Sequence, residues 1–381
     1  FKFSRPFILT GTGTVASSQT LTRNAALTLN SGATLTVNGT LAGTGTLTVK
    51  SGAVLIFGSG VNAPSNITVE AGGEVRFIGT GASTTFGSSN SVAGKISLQG
   101  SRGTATGFNP SWTGASSTME YAGSSAQTAS YYELPSSGGP ANLIINNASG
   151  VTFNSSISVS PTLSGTLTLT NGVLNFGNAS SSGITFTGNT PIVRTNGSIN
   201  ASGTYARLTF SATSGNQTIP NGTFNNTTIT RFEVNMGSTT GTVTMNNQDV
   251  TLSQLKLTKG ILSLAAGNVI FGNTAAAGFS SGVFSTTNMV VTPGTGSLCY
   301  KFPAGSTTAV TFPLGETTGT AEYTPLTLAF SDNSAERVIG FKAIDGVYSN
   351  TGSVSHYISR YFTMYAPTIS GSYEYTLSTK Y

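Results

Sequence analysis

Leu27-Thr28-Leu29-Asn30-Ser31-Gly32-Ala33-Thr34-Leu35-Thr36-Val37 returns as Leu47-Thr48-Val49-Lys50-Ser51-Gly52-Ala53-Val54-Leu55-Ile56-Phe57, and again as Ile67-Thr68-Val69-Glu70-Ala71-Gly72-Gly73-Glu74-Val75-Arg76-Phe77. The copies lie 20 residues apart (47 minus 27, 67 minus 47) and share one register without a gap. Within each, two apolar residues alternate with polar ones, a glycine turns the chain, and a second alternating pair follows. Alternation with a period of two is the signature of a strand with one buried face. Two short strands around a corner, repeated at so short an interval, predict one rung of a parallel β-helix. Stacking at about 4.8 Å pairs each strand with its copies and buries side chains that a single rung leaves in water. Leu27/Leu47/Ile67 and Val37/Phe57/Phe77 are then interior columns, Thr28/Thr48/Thr68 an outward ladder, and Gly32/Gly52/Gly72 a column of corners.

The rest of the composition agrees. Of 381 residues, 48 are Gly and only 8% are charged, against about 25% in an ordinary soluble domain. So few charges cannot furnish the polar faces of exposed helices, and no stretch holds a helical apolar period for three turns. Disorder is excluded too, because 21 Phe, 13 Tyr and regularly placed aliphatics supply a core that disordered chains lack. The formal charge is +5, but its basic residues are scattered singly rather than gathered into a nucleic-acid footprint. Cys299 is the single cysteine, so there is neither an internal disulfide nor a cysteine-built zinc site. Val54-Leu55-Ile56-Phe57, the longest compact apolar run, falls far short of the roughly 20 residues of a membrane span. Lys2 and Arg5 precede too short an apolar core for a secretory signal, which leads us to expect a removed leader or a piece of a longer protein.

Regular rungs are expected over residues 1–100. Residues 101–142, with Trp112, Tyr121, Tyr131, Tyr132 and Pro135, read as an irregular aromatic excursion. A second pattern follows, in which Leu167-Thr168-Leu169-Thr170-Asn171-Gly172-Val173-Leu174-Asn175-Phe176 is matched by Leu255-Lys256-Leu257-Thr258-Lys259-Gly260-Ile261-Leu262-Ser263-Leu264. It places a longer-period continuation of the solenoid over 143–295. Composition then shifts: the final 82 residues (300–381) hold 9 of the 13 Tyr, and short strands between turn signals predict a β-sandwich-like module over 296–381, truncated at its end.

These C-terminal residues also carry a resemblance. Gly294-Thr295-Gly296-Ser297-Leu298, Phe302-Pro303-Ala304-Gly305, Phe312-Pro313-Leu314-Gly315-Glu316, Tyr323-Thr324-Pro325-Leu326-Thr327-Leu328 and Ser359-Arg360-Tyr361-Phe362, with the Leu-x-Leu-x-x-Gly-x-Leu motifs at 167–176 and 255–264, resemble large secreted surface proteins of Bacteroidota. The resemblance covers roughly residues 160–381. It implies export by the type IX secretion system and an adhesin-like or gliding-associated role. Two marks of that group are missing: a C-terminal sorting domain, and any Asp-Ser or Asp-Thr pair for O-glycosylation.

Catalytic patterns are sparse. Glycoside hydrolysis needs two carboxylates converging on one bond, and calcium chemistry needs clustered acidic ligands. Only Glu70/Glu74 and Asp332/Glu336 are close in sequence, and each reads as a solvated surface pair. His356 has no carboxylate or serine motif beside it, and Cys299 reads as a small buried apolar residue. Gly11-Thr12-Gly13 and Gly43-Thr44-Gly45 lack the lysine and helix of a phosphate loop. An ice-binding array fails because Thr34/Thr36 become Val54/Ile56 and then Glu74/Arg76 on successive rungs. The candidate contact residues are Trp112, Tyr131 and Tyr132, whose rings offer stacking faces to a sugar or a flat partner.

The expectation is therefore an all-β protein, a right-handed parallel β-helix followed by a β-sandwich module, without cofactor or metal. Its expected role is a non-catalytic, secreted, rod-like stalk or adhesin segment at a bacterial cell surface. Its expected partners are neighbouring domains or copies in a fibre, or glycans, with neither nucleic acid nor a membrane span. The alternative is a carbohydrate-active or carbohydrate-binding β-helix.

Overall fold

The computed structural model describes residues 1–61, 63–79, 86–87, 89–100, 108–155, 158–179, 181–246, 249–271, 284–347, 360–367 and 370–380. Among them there is no helix, and so none long and apolar enough to cross a membrane. They group into two compact units, Phe1–Ala206 and Arg207–Tyr381, a division earlier in the chain than the compositional break near 296.

The first unit is a parallel β-solenoid. Leu47–Val49 pairs with Leu27–Leu29 on one side and Ile67–Val69 on the other, residue for residue in the register of the repeat. Around the corner Val54–Phe57 lies between Thr34–Val37 and Glu74–Phe77 in the same way. Leu27, Leu47, Ile67, Val37, Phe57 and Phe77 are all buried, and the rings of Phe57 and Phe77 stack at 5.2 Å. Burying each such side chain contributes roughly 1.5–3 kcal/mol. Gly32, Gly52 and Gly72 form the corner column at φ of +80°, +74° and +81°, a region costly for residues with a Cβ. The column is bonded through its own backbone: Gly32 N–H donates to the Gly52 carbonyl at 3.0 Å and Gly52 N–H to that of Gly72 at 2.9 Å.

A third face accompanies the first rungs. Thr20–Arg23 lies between Lys2–Phe3 and Thr40–Ala42, all parallel. The 20-residue offset that relates Thr20-Leu21 to Thr40-Leu41 carries this face as well.

Residues 101–142, expected to be an irregular excursion, include the regular strands Thr118–Tyr121 and Gln127–Ala129. Thr118–Tyr121 pairs in register with Lys95–Leu98 and with Asn142–Asn146, and Gln127–Ala129 pairs with Val151–Phe153. The rungs lengthen here, since Ile96, Met119 and Leu143 are register neighbours 23 and 24 residues apart (119 minus 96, 143 minus 119). The interior positions keep their stacking while the corners grow, which hides the repeat from a fixed-period comparison. The sheet continues through Leu167–Asn171 to Ile192–Arg194.

In the second unit two parallel sheets continue the solenoid pattern. One runs through Arg207–Phe210, Thr228–Asn235, Val250–Lys259, Val269–Phe271 and Leu298–Phe302. The other runs through Gln217–Ile219, Thr242–Asn246, Ile261–Ala266, Val290–Val291 and Leu314–Glu316. The two Leu-x-Leu motifs thus fold alike, as strand, glycine corner and strand, with Gly172 at φ +80° and Gly260 at +99°. Pairing then changes sense. Arg337–Asp345 adds antiparallel to Leu298–Phe302, and Arg360–Tyr365 adds antiparallel to it in turn. A separate antiparallel sheet joins Val310–Phe312, Leu326–Asn333 and Tyr373–Thr379. Its rings meet those of the first sheet, Phe330 with Phe302 at 5.1 Å and Phe312 with Phe341 at 5.0 Å.

Candidate functional site

The aromatic residues singled out by the sequence gather at one corner of the first unit. Ser130 to Leu134 closes a single tight turn, with Leu134 N–H donating to the Ser130 carbonyl at 3.0 Å. Ser130 begins it as a cap: its hydroxyl accepts from Tyr132 N–H at 3.2 Å, while its own N–H donates to Glu133 Oε2 at 3.0 Å and its hydroxyl donates to the same oxygen. The Ser-x-x-Glu spacing is that of a capping box, in which serine and glutamate each satisfy a free group of the other's turn. The signal for this turn in the sequence is the Ser-x-x-Glu spacing of Ser130-Tyr131-Tyr132-Glu133, which marks a cap and carries no sign of the glutamate's burial.

Glu133 is buried at 2% exposure beneath the turn. Burial pushes its carboxyl up to about 7, against the opposing pull of the Ser130 hydroxyl and N–H donors. Tyr121, an interior residue of the adjoining strand, is fully buried; burial first, and then the charge of Glu133, drive its phenol well above the ordinary range.

Trp112 is turned inward. It is 8% exposed, and its indole Nε1–H donates at 3.1 Å to the Glu133 carbonyl. Its ring is therefore a support for the turn and presents no open face. Tyr131 and Tyr132 ride on the outer side with ring centroids 4.1 Å apart and an interplanar angle of 33°. Tyr131 is exposed and Tyr132 half-buried. Of the three predicted contact residues, the structure brings all into one corner and leaves the tyrosine pair facing solvent.

A polar ladder backs this corner. Gln127, fully buried, accepts from Gly123 N–H at 3.0 Å and from Asn147 Nδ2 at 2.9 Å, and donates to the carbonyls of Leu98 at 3.0 Å and Gly100 at 2.9 Å. Each bond spans or closes a rung, so the turn rests on a fully bonded base. Buried amides left unbonded would cost about 1–3 kcal/mol each.

The other candidates lie elsewhere. Glu74 and Arg76 occupy the outward positions of Thr34 and Thr36, as their register requires. Glu74 binds Arg76 at 2.8 Å and Lys95 at 3.0 Å, and Lys95 reaches on to Glu120 at 3.1 Å. This chain of ion pairs takes in neither Lys50 nor Glu70. Asp332 stands opposite Glu374 in an antiparallel pair. Cys299 is buried, its thiol pushed up to about 12 by burial and the charge of Asp249. His356 lies outside the described residues. Among the described residues no three His, Cys, Asp or Glu side chains are grouped to hold a metal ion.

The fold and the corner define a parallel β-solenoid that presents a tyrosine pair. Comparison with known proteins returns no significant match to a family model, a curated protein or a solved structure.

Proposed function

We propose that this chain is a non-catalytic, secreted structural and adhesive segment of a larger bacterial cell-surface protein or fibre, with Tyr131 and Tyr132 as a contact point. The observation that carries this reading is the allocation of side chains. Apolar residues and bonded amides fill the stacked interior, while the one aromatic pair on the Ser130–Leu134 turn is held outward by buried groups that face no solvent. A pair of outward tyrosine rings suits adhesion to a sugar ring or a flat partner surface, and Trp112 serves as their positioning residue. The solenoid is assigned the right-handed winding that parallel strand connections favour. The facing antiparallel layers at the C-terminal end, joined through Phe302/Phe330 and Phe312/Phe341, support a β-sandwich module there. Export of the type IX kind and a place among the surface proteins of Bacteroidota remain part of the proposal, on the sequence resemblance alone.

The test is adhesion of the purified chain to a glycan array and to bacterial and host-cell surfaces, compared with a Tyr131→Ala/Tyr132→Ala variant of equal melting temperature. Loss of binding in the variant is the expected result. Release of reducing ends from any polysaccharide by the unaltered chain would overturn the non-catalytic reading.

A further inference from the structure

The second unit holds a polar cavity of about 270 Å³, lined by Thr292, Glu316, Thr318, Lys342, Ile344 and Asp345 among others. Its back wall is built from groups already engaged. Glu316, buried at 6% exposure, receives Arg360 at 3.5 Å on Oε1 and Thr318 N–H at 2.6 Å on Oε2. Arg360 is itself buried and is also bound by Glu322. Thr292 is tied to Ala343 through both functions of its hydroxyl, accepting from the N–H at 3.1 Å and donating to the carbonyl at 3.3 Å. With both oxygens occupied, Glu316 is a fixed wall and not an acid poised to react.

The front of the cavity is different. Lys342 spends one N–H on the Gly294 carbonyl, and an ammonium has three to give. Asp345 is exposed at the rim, as are Thr317 and Thr318. Val291, Pro293 and Ile344 supply apolar lining. Ammonium donors and a carboxylate acceptor beside an apolar surface complement a molecule whose neighbouring hydroxyls each donate and accept while its C–H face is apolar. The volume sits just under the roughly 300 Å³ at which pockets for drug-sized ligands begin, which suits one ring.

We propose that this cavity binds a single neutral pyranose ring, with Lys342 donating to ring hydroxyls, Asp345 accepting from them, and Pro293 and Ile344 beneath the C–H face. The site is separate from the tyrosine pair, and the inference stands whether or not the chain is a surface stalk.

Saturation-transfer difference NMR of the 381-residue chain with the methyl glycosides of glucose, galactose, mannose and N-acetylglucosamine tests it. A lone ring is expected to bind with a Kd of about 1 mM. Transfer to at least one glycoside is expected, with methyl shifts of Thr317 and Thr318 following the titration. Asp345→Asn and Lys342→Met should each weaken binding about tenfold, while Tyr131→Ala/Tyr132→Ala leaves it unchanged. No transfer from any glycoside, transfer lost only in the tyrosine variant, or transfer without shifts at Thr317 and Thr318 would each overturn the assignment. The threonine shifts are read in the unaltered chain, so the test survives a variant that fails to fold.

Discussion

The rungs from Leu27 to Phe77 and the corner from Trp112 to Asn147 belong to one solenoid and are held together in opposite ways. In the early rungs the Leu27/Leu47/Ile67 and Val37/Phe57/Phe77 columns are apolar and repeat in register, and the buried Arg23, bonded to the Gly45 carbonyl, is the exception on the third face. Stability there is spread over interchangeable contacts. In the later corner Gln127, Glu133 and Asn147 are buried together with the Trp112 indole, and each is satisfied by particular partners without a repeat. Repetition suffices to stack the early rungs, and departure from it coincides with the buried polar groups that hold the Ser130–Leu134 turn.

The greatest effect is expected in the early rungs. Leu47 is fully buried between Leu27 and Ile67, so Leu47→Asp sets a charge among apolar neighbours on both sides. The expected loss is about 4 kcal/mol or more, read as the shift in urea midpoint. A variant that melts with the parent would break the register on which the comparison rests.

Next comes the pH response of the corner. The Glu133 carboxyl is raised to about 7 in the folded chain from an ordinary value of 4.5. Between those values the folded state holds a proton that the unfolded state has lost, so stability falls as pH rises through the window and then levels off. At 1.36 kcal/mol per pH unit the full difference is about 3 kcal/mol. Glu133→Gln has no such titration, and its stability relative to the parent should rise by that order between about pH 4.5 and pH 8. Parallel curves for the two proteins would show that Glu133 is not isolated from solvent as described.

Gln127→Leu is expected to cost about 1–3 kcal/mol, because Gly123 N–H, the Gly100 carbonyl and the Asn147 amide lose these bonds inside the solenoid. Hydrogen exchange should show the loosening at Gly123 and Asn147 and leave Leu47–Val49 protected. Uniform loss of protection across both regions would mean that they unfold as one unit and that the contrast is only one of composition.

The contrast also explains what could be read from the chain without its structure. The register of 27–77, its corner glycines and its interior columns were legible because identical chemistry recurs at one interval. The third face at Thr20–Arg23 is carried by the same interval but is short and poor in buried apolar side chains, with Phe3 and Leu41 buried and Leu21 only half-buried, so its alternation is weak. Thr118–Tyr121 escaped because added corner residues changed the interval while leaving the strand register intact. The buried state of Trp112 and Glu133 depends on a turn whose neighbours come from rungs more than 20 residues away, as in the bond from Trp112 to Glu133. The pocket around Glu316 and Asp345 was invisible for the same reason, since their separation of 29 residues (345 minus 316) is closed by long-range contacts such as the antiparallel pairing of Arg337–Asp345 with Leu298–Phe302 and the bonds between Thr292 and Ala343.

The smallest effect is the one that most sharpens the comparison, because its sign is reversed. Glu74 sits on the outside of the regular rungs. Partial burial pushes its carboxyl up, but the hydrogen bonds and charges of Arg76 and Lys95 more than offset this, and the net shift is downward. An acid lowered in the fold contributes stability above its unfolded value of 4.5, and that contribution disappears as pH falls through the folded value. The partners are one-third exposed, at 37% for Arg76 and 33% for Lys95, so water screens the pairs and the expected contribution is only about 0.5–1 kcal/mol. Glu74→Gln should therefore be less stable than the parent at neutral pH, equal to it once the pH has fallen below the folded value, and less affected in about 1 M salt. Glu133→Gln should move the other way over a higher pH range. Two glutamates in one solenoid, one outside a regular rung and one inside an irregular corner, then report opposite slopes; slopes of the same sign would show that the two regions do not differ in how they hold a charge.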